Sequence, residues 1–353
     1  MKLFNKHIRV TIFPDLNPLF LEKSNSLGRE LTYKEKLAIQ ELYPPVVINK
    51  YPDEFTISCS IIRESTAVTK LVLDILNLSA VTRLHVLNAK YKRITVEAGY
   101  LGNMWKLGDK LQDQDLTILF KGSLLWMGTV IEARRNIKTS FVAIAGSAEA
   151  LSAYSNLMAL NYQAGYNLYQ LIHEIYVNSN NPDIKLNLSE EDKNKLLETT
   201  TGAVKPTDMG KILKNFSIDM TYSWEGTETF TVDDWINLNS ADNVGDIYPV
   251  NAETGLKDIP SLQGDRNLEF NMLLNPKIKV LDYVRLNNYD INLPLVTDWT
   301  NLDKANSGYY LDKEGIYRIL RISYSLESRG SSFSMKVEAV ARDVYAQMQG
   351  ATT

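Results

Sequence analysis

Leu71-Val72-Leu73-Asp74-Ile75-Leu76-Asn77-Leu78-Ser79, followed downstream by Ile94-Thr95-Val96-Glu97-Ala98-Gly99-Tyr100, is the stretch whose reading decides the fold. The β-branched and apolar run from Val68 to Ile75 predicts a strand. Asn77-Leu78-Ser79 breaks it, and Ser79 is placed to N-cap a short helix through Val86, because its hydroxyl can accept an orphan backbone N–H. From Tyr91 to Tyr100 the period returns to two, with Tyr91, Arg93, Thr95 and Glu97 opposite Ile94, Val96 and Ala98.

The same period governs the flanks. Upstream, Phe55, Ile57, Cys59 and Ile61 share one strand face, with Thr56, Ser58 and Ser60 on the other. Ile8, Val10 and Ile12 alternate as a first strand. Between these, Thr32-Tyr33-Lys34-Glu35 matches a capping box opening a helix to about Leu42, which Pro44-Pro45 stops. Few positions of that helix are apolar, so it reads as a surface arm. Downstream, strands are predicted at Leu116 to Phe120, Leu124 to Ile131 and Thr139 to Ala145, with Gly122, Gly128 and Gly146 as turns or bulges. Many short strands at close spacing read as a barrel or sandwich.

The middle differs in character. Leu168, Leu171, Ile172 and Ile175 give Asn167 to Val177 the spacing of an amphipathic helix. Ser189-Glu190-Glu191-Asp192 resembles a second capping box, with its helix running to about Glu198, and Thr207 to Asn215 predicts a third helix. Ser217 to Trp224 and Thr227 to Val232 predict a hairpin around Glu225-Gly226. Glu225 to Asp258 carries eight acidic residues and one base, Lys257, and reads as a solvated loop. Strands resume at Asn267 to Leu273, Ile278 to Leu286, Gly315 to Leu326 and Ser332 to Ala341, the last two joined by the turn Ser328-Arg329-Gly330-Ser331. No solenoid-type repeat is present.

Composition narrows the class of protein. The chain has 353 residues, 44% hydrophobic and 23% charged, with a formal net charge of −4. That is enough chain for two or three cores, and no strong basic field draws it to nucleic acid or anionic membrane. No apolar run approaches the roughly 20 residues of a membrane-spanning helix, and no signal-peptide h-region follows Met1. The single cysteine, Cys59, cannot form an intrachain disulfide, which fits a reducing compartment. Nineteen tyrosines tilt the composition toward strands and partly polar contact surfaces.

The sequence offers little reaction chemistry. His7, His85 and His173 are far apart, and none has a His or Cys within four positions, so each reads as a surface or packed histidine rather than a metal ligand. Cys59 alternates with apolar residues and reads as a buried thiol. There is no G-x-S-x-G elbow, Walker A loop or G-x-G-x-x-G fingerprint. Glu190, Glu191 and Asp192 suit the positive end of a helix better than a pair of catalytic carboxylates. The expectation is no catalytic residue, no cofactor and no metal.

In order along the chain, the N-L-S strand end, the turn of helix at Thr82-Arg83, the strand ending in Ala98-Gly99-Tyr100 and the F-x-G step Phe120-Lys121-Gly122 resemble the first barrel of phage tail baseplate central hub proteins. Thr139 to Leu151 is similar to the Thr-rich strand and small helix that follow there. Leu274-Asn275-Pro276-Lys277-Ile278-Lys279-Val280 leading to Val284-Arg285-Leu286 looks like the N-P-x-(I/L) entry to the second barrel of that family. Tyr317 to Leu326 with Phe333 to Ala339 is similar to its closing hairpin. The family often has Gly where this chain has Leu281 or Asp282, and the arm through Lys50 has no counterpart. The resemblance implies a two-barrel hub of the contractile-tail type. Such a hub is a homotrimer whose six barrels form a ring joining the tail-tube protein to a spike protein among other baseplate proteins, with DNA passing through the lumen.

The combined expectation is a mainly β fold with an α/β insert (α+β), two antiparallel β-barrel domains flanking a small α/β domain. The boundaries are 1–155 for the N-terminal barrel with its helical arm, 156–260 for the α/β domain with the acidic loop, and 261–353 for the C-terminal barrel and tail. The implied place is the tail baseplate of a virion, assembled in the host cytoplasm, without membrane insertion. The spike is expected to be a separate chain, because no repetitive β-helical pattern follows Ala341. Asp233, Asp234, Asp242, Asp246 and Asp258 are candidates for facing the lumen or a partner, repelling a passing polyanion. A tail-associated cell-wall hydrolase and a distal-tail or tube ring protein stay open as other readings.

Overall fold

The computed structural model describes residues 5–14, 16–51, 54–64, 67–87, 91–101, 116–132, 136–145, 158–162, 167, 169–170, 184–187, 194, 200–204, 220–224, 230–234, 247–263, 267–280, 282–292, 311–312 and 314–341. Two compact units emerge. The first is Met1–Ile61, Lys70–Ala148 and Leu326–Phe333; the second is Ile62–Thr69, Glu149–Ser325 and Ser334–Thr353.

The chain begins with β1 (Asn5–Pro14), α1 (Asn17–Leu27), α2 (Tyr33–Leu42), β2 (Val46–Ile48), β3 (Ile57–Glu64), β4 (Ala67–Leu76), α3 (Ala80–Leu87), β5 (Tyr91–Leu101), β6 (Thr117–Glu132) and β7 (Asn136–Ala145). In the first unit these strands lie in the order β3-β4-β7-β6-β5-β1-β2. The ladders from β4 to β2 are antiparallel. Register puts the alternating apolar residues on one face: Ile8 opposite Ala98, Val10 opposite Val96 and Ile12 opposite Ile94. All six are fully buried, together with Ile57, Ile61, Leu71, Leu73, Ile75, Phe120 and Phe141. At about 1.5–3 kcal/mol per buried large apolar side chain, this face is what holds the unit together. On its other face Arg9 sits opposite Glu97 and donates to it twice, at 2.7 and 2.9 Å.

The helices follow their sequence signals. Thr32 caps α2 in a full capping box with Glu35, and the helix has no buried residue, as the arm reading requires. Ser79 Oγ accepts from the Thr82 amide at 3.0 Å and opens α3. Helix α1 was absent from the sequence reading: Pro in its first turn starts it and Gly28, at φ 61°, ends it.

Two predicted strands need correction. Leu116 to Phe120 and Leu124 to Ile131 form one strand, β6, that runs through Gly122 and Gly128. Gly122 makes no turn; it stays in register with Ile94, and a Cβ there would collide with the Ile144 carbonyl. The register shift falls between Leu124 and Trp126 instead. Ile278 to Leu286 is not a full strand either. Asn275 accepts from Lys277 at 3.1 Å and Asp282 accepts from Lys279 at 2.7 Å, so side-chain-closed turns occupy most of it.

The second unit contains β8 (Met158–Tyr162), β9 (Ile184–Asn187), β10 (Thr200–Val204), β11 (Met220–Trp224), β12 (Phe230–Asp234), β13 (Tyr248–Pro249), β14 (Ser261–Gln263), β15 (Asn267–Leu273), β16 (Tyr283–Arg285), β17 (Ile316–Glu327) and β18 (Phe333–Ala341). Here β14, β15, β18 and β17 are neighbours in that order, β16 is antiparallel to β17, and β13 is parallel to β16. β8 pairs with β10, and β12 lies between β9 and β11. The β11–β12 hairpin matches the sequence reading, while β8, β9 and β10 were not foreseen. The three predicted middle helices lie largely or wholly outside the described residues. Leu268 opposite Ala339, Phe270 opposite Val337 and Met272 opposite Met335 form the buried face. Among the described residues, 18 strands against three α-helices make a mainly antiparallel β fold with a minor helical part.

Candidate functional site

In the second unit a cleft of about 1090 Å³ opens beside β13 and β16. One wall is the turn after β13. Asn251 Oδ1 accepts from the Glu253 and Thr254 amides at 2.9 and 3.0 Å, and the Leu256 amide donates to the Asn251 carbonyl at 2.9 Å. The other wall is a single 3₁₀ turn, Asn288–Asp290, capped by Asn287, which accepts from the Tyr289 amide at 3.2 Å. Its footing is buried: Asn288 donates to the Asp312 carbonyl at 2.6 Å and accepts from the Tyr317 hydroxyl at 2.7 Å. Asp312, fully buried, accepts from the Glu314 and Ile316 amides at 2.9 Å each. Burial, and then the Asp312 charge, push the Tyr317 hydroxyl well above the usual phenol range. Gly315, at φ 71°, completes the corner, since a Cβ there would run into the Leu286 carbonyl.

The cleft combines exposed apolar side chains with mixed charge. Ile259 and Tyr289 stand out at its rim, 74% and 97% exposed. Lys257, Arg285, Asp258, Asp290 and Glu314 supply mixed charge. The lining contains no histidine, cysteine or serine among the described residues. Among the described residues, no group of three or more His, Cys, Asp or Glu is placed to hold a metal ion. No described helix is long and apolar enough to cross a membrane.

Of the five acidic candidates, Asp258 lies on this cleft, exposed, where its carboxylate accepts from Asn271 at 3.0 Å. Asp233 and Asp234 end β12, in register with Thr221 and Met220, so that part of the acidic run is strand and not loop. Asp242 and Asp246 lie outside the described residues. Cys59 is buried and its thiol pushed far up by burial, an inert core residue.

The first unit has a surface of a different kind. On the outer face of β4, β7 and β6, register sets Val72 beside Val142 and Trp126, then Asp74 beside Ser140 and Gly128, then Leu76 beside Lys138 and Val130. Trp126 and Val130 are 55% and 54% exposed, and Val72 and Leu125 are about half exposed. The Trp126 indole lies over Gly128, where a Cβ would collide with it. Ile131, 72% exposed and in register with Ile137, lies on the opposite face of β6. Nearby, Lys138 bonds Glu132 at 2.9 Å and lies 4.0 Å from Asp74, which also accepts from the Ser140 hydroxyl, and Lys70 is exposed on the same face of β4. Sequence reasoning missed this surface. Its one signal was the unbroken apolar run Leu124-Leu125-Trp126-Met127, which leaves no polar side for a strand to show to water.

No protein-family model matches the sequence, and no curated protein matches it. Solved structures do. A chain of the half-lidded Francisella PdpA-VgrG complex matches with a TM-score of 0.52 at 8% identity, over 96% of this chain and 58% of that one. The E. coli c3393 protein is described as a component of the type VI secretion system with structural similarity to the T4 bacteriophage tail proteins gp27 and gp5. It matches at 0.45 and 9% identity, over 81% of this chain and 73% of that one. A tail protein of prophage MuSo2 from Shewanella oneidensis matches at 0.45 and 9%, over 82% and 98%. In fold, this chain therefore resembles a chain of the PdpA-VgrG complex.

Proposed function

We propose that the chain is a non-enzymatic hub subunit of a phage tail baseplate. Three copies form a ring that joins the tail tube to a central spike and leaves a lumen for DNA. The observation that carries this reading is the fold match to the PdpA-VgrG complex over 96% of the chain. The ordered N-L-S, A-G-Y, F-x-G and N-P-x-I patterns support it. In this reading 1–155 and 261–353 provide the two barrels, and 156–260 is the insert between them. Barrels leave few free strand edges and make stiff blocks suited to a load-bearing ring. The ring belongs to the virion tail and is built in the host cytoplasm beside tube, spike and other baseplate proteins.

Asp233, Asp234, Asp242, Asp246 and Asp258 are proposed to face the lumen or a partner. A channel that passes DNA should not hold it, because basic walls would release counterions and bind the polymer. The test is the solution mass by light scattering, alone and with tube and spike proteins. A mass of three chains supports the reading; a monomer under all these conditions overturns it. Replacing the five aspartates by lysine should leave the mass unchanged and create salt-sensitive DNA binding. Unchanged DNA affinity would remove the lumen assignment and leave the ring intact.

A further inference from the structure

We propose that the cleft beside β13 and β16 binds a neutral oligosaccharide. The inference is independent of the hub reading and uses the second unit alone.

The backbone of both walls is engaged within the unit. The amides of Val250, Leu256, Leu286 and Asn292 donate to the carbonyls of Arg285, Asn251, Gly315 and Pro260. An extended peptide that adds to a sheet binds through a ladder of open backbone groups, and these amides are already used. A ligand in this cleft therefore meets side chains first.

Those side chains mix donors with acceptors. Asn251 and Asn287 commit their amide oxygens to the backbone, which leaves the Nδ2 groups of two exposed residues as donors. Lys257 and Arg285 are further exposed donors, and Asp258 and Asp290 are exposed acceptors. A phosphate would match the donors alone, and a cation the acceptors alone. A hydroxyl donates one hydrogen and accepts through two lone pairs, so a polyol pairs with both kinds at once. Charge points the same way. Two bases stand among three acids, Asp258, Asp290 and Glu314, so the described lining has no single-sign field to draw a polyanion or a polycation.

The third feature is an aromatic ring held out in water. Tyr289 is 97% exposed, yet its turn is anchored on buried Asp312 and Tyr317 through Asn288. The platform is thus fixed before any ligand arrives, which lowers the ordering cost of binding. A tyrosine ring is apolar on its faces and polar at its tip. A pyranose ring is its complement, with C–H groups on its faces and hydroxyls around its edge. Ile259, 74% exposed, adds apolar surface at the same rim. The cleft volume of about 1090 Å³ is at the top of the range of roughly 300–1,000 Å³ that encloses a drug-sized ligand, so there is room for more than one sugar ring.

The test is saturation-transfer NMR on the full chain, with affinities from titration. The probes are maltopentaose, cellopentaose, chitotetraose and mannotetraose, with heparin as the polyanion. The expected result is that at least one neutral sugar binds at millimolar concentration or below and heparin does not. Tyr289→Ala should weaken that binding by at least about tenfold, and Asp290→Ala by a smaller factor. Both side chains are exposed, so thermal melting should not move. Tyr33→Ala removes a comparably bare tyrosine, 79% exposed, from α2 and should bind like wild type.

Failure of all four sugars to bind overturns the proposal. Binding that Tyr289→Ala leaves unchanged, or that Tyr33→Ala weakens equally, places the site elsewhere and overturns it too. Heparin bound more tightly than every neutral sugar overturns the ligand class. Peptides captured from an array through Tyr289, with no sugar bound, make the cleft a protein-docking surface and overturn the saccharide reading. A chain that stays monomeric by light scattering yet binds sugar through Tyr289 supports this inference while the hub ring falls.

Discussion

β18 and the second half of β6 are both strands of nine or so residues rich in apolar side chains, yet they solve opposite problems. In β18, Phe333, Met335, Val337, Ala339 and Ala341 are buried, and Ser334, Lys336, Glu338 and Val340 lie half-exposed on the reverse face. Lys336 bonds Glu269 at 2.8 Å, and Glu338 lies 3.3 Å from Arg321 on that reverse face. Every side chain finds its medium within the unit. In β6 beyond Leu124 the apolar residues fall on both faces, and Trp126, Val130 and Ile131 remain in water. The first pattern buries its apolar side chains within one chain; the second leaves several of them exposed.

The comparison can be broken most forcefully from the β18 side. Val337→Asp would place a carboxylate in the buried face, opposite Phe270. The expected loss is more than about 4 kcal/mol, enough to abolish a cooperative denaturant transition. Cys59→Ala removes one buried sulfur from an alternating row and should cost on the order of 1 kcal/mol, with assembly unchanged. Rapid labelling of the native thiol by a polar reagent would contradict that burial.

A smaller effect belongs to α2, which is closed by its own cap. Hydrogen bonds from Arg29 and from Thr32 hold the Glu35 carboxyl at about 2. Its pKa in the folded chain is therefore below the unfolded value near ~4.3. The stabilisation it gives is full above that unfolded value and fades as pH falls through about 2. An NMR titration of Glu35 with an ordinary midpoint would show that the capping box does not persist in solution. The smallest effect is expected at Trp126. Measured at dilution, Trp126→Ser should change stability by less than about 1 kcal/mol, because an exposed side chain contributes little to its own fold. The contrast with Val337 would be lost if the two substitutions were equally damaging.

The legible parts of the sequence were those where one residue's chemistry decides its neighbours. Alternation fixed the faces of β1, β3, β5, β15 and β18, and hydroxyl caps fixed the starts of α2 and α3. Glycine was the weak signal. Gly122 was read as punctuation, but its missing Cβ admits the Ile144 carbonyl to a continuous strand. Asn275 and Asp282 closed turns inside a stretch whose apolar pattern read as strand. Strands β8 to β10 are short and carry no clear period. The cleft was invisible because its walls depend on Asn251, Asn287 and Asn288 bonding backbone groups, with Asp312 24 residues from Asn288. Of the acidic candidates, only Asp258 could be assigned to that cleft.

Lys6 donates to the Gly330 carbonyl at 3.0 Å across 324 residues of chain, and the Ile57 amide donates to Ser328 Oγ at 2.9 Å across 271. Both bonds lie inside the first unit, which is thus sewn shut by a short segment far along the chain from its opening strand. At roughly 5–20 residues per second on the ribosome, the opening strand waits on the order of tens of seconds for that segment to emerge. Until then its sheet lacks a neighbour, and the nascent chain depends on whatever shields half-built strands in the cell. Any assembly through the first unit must wait for that segment, because the unit does not exist as a finished object before it.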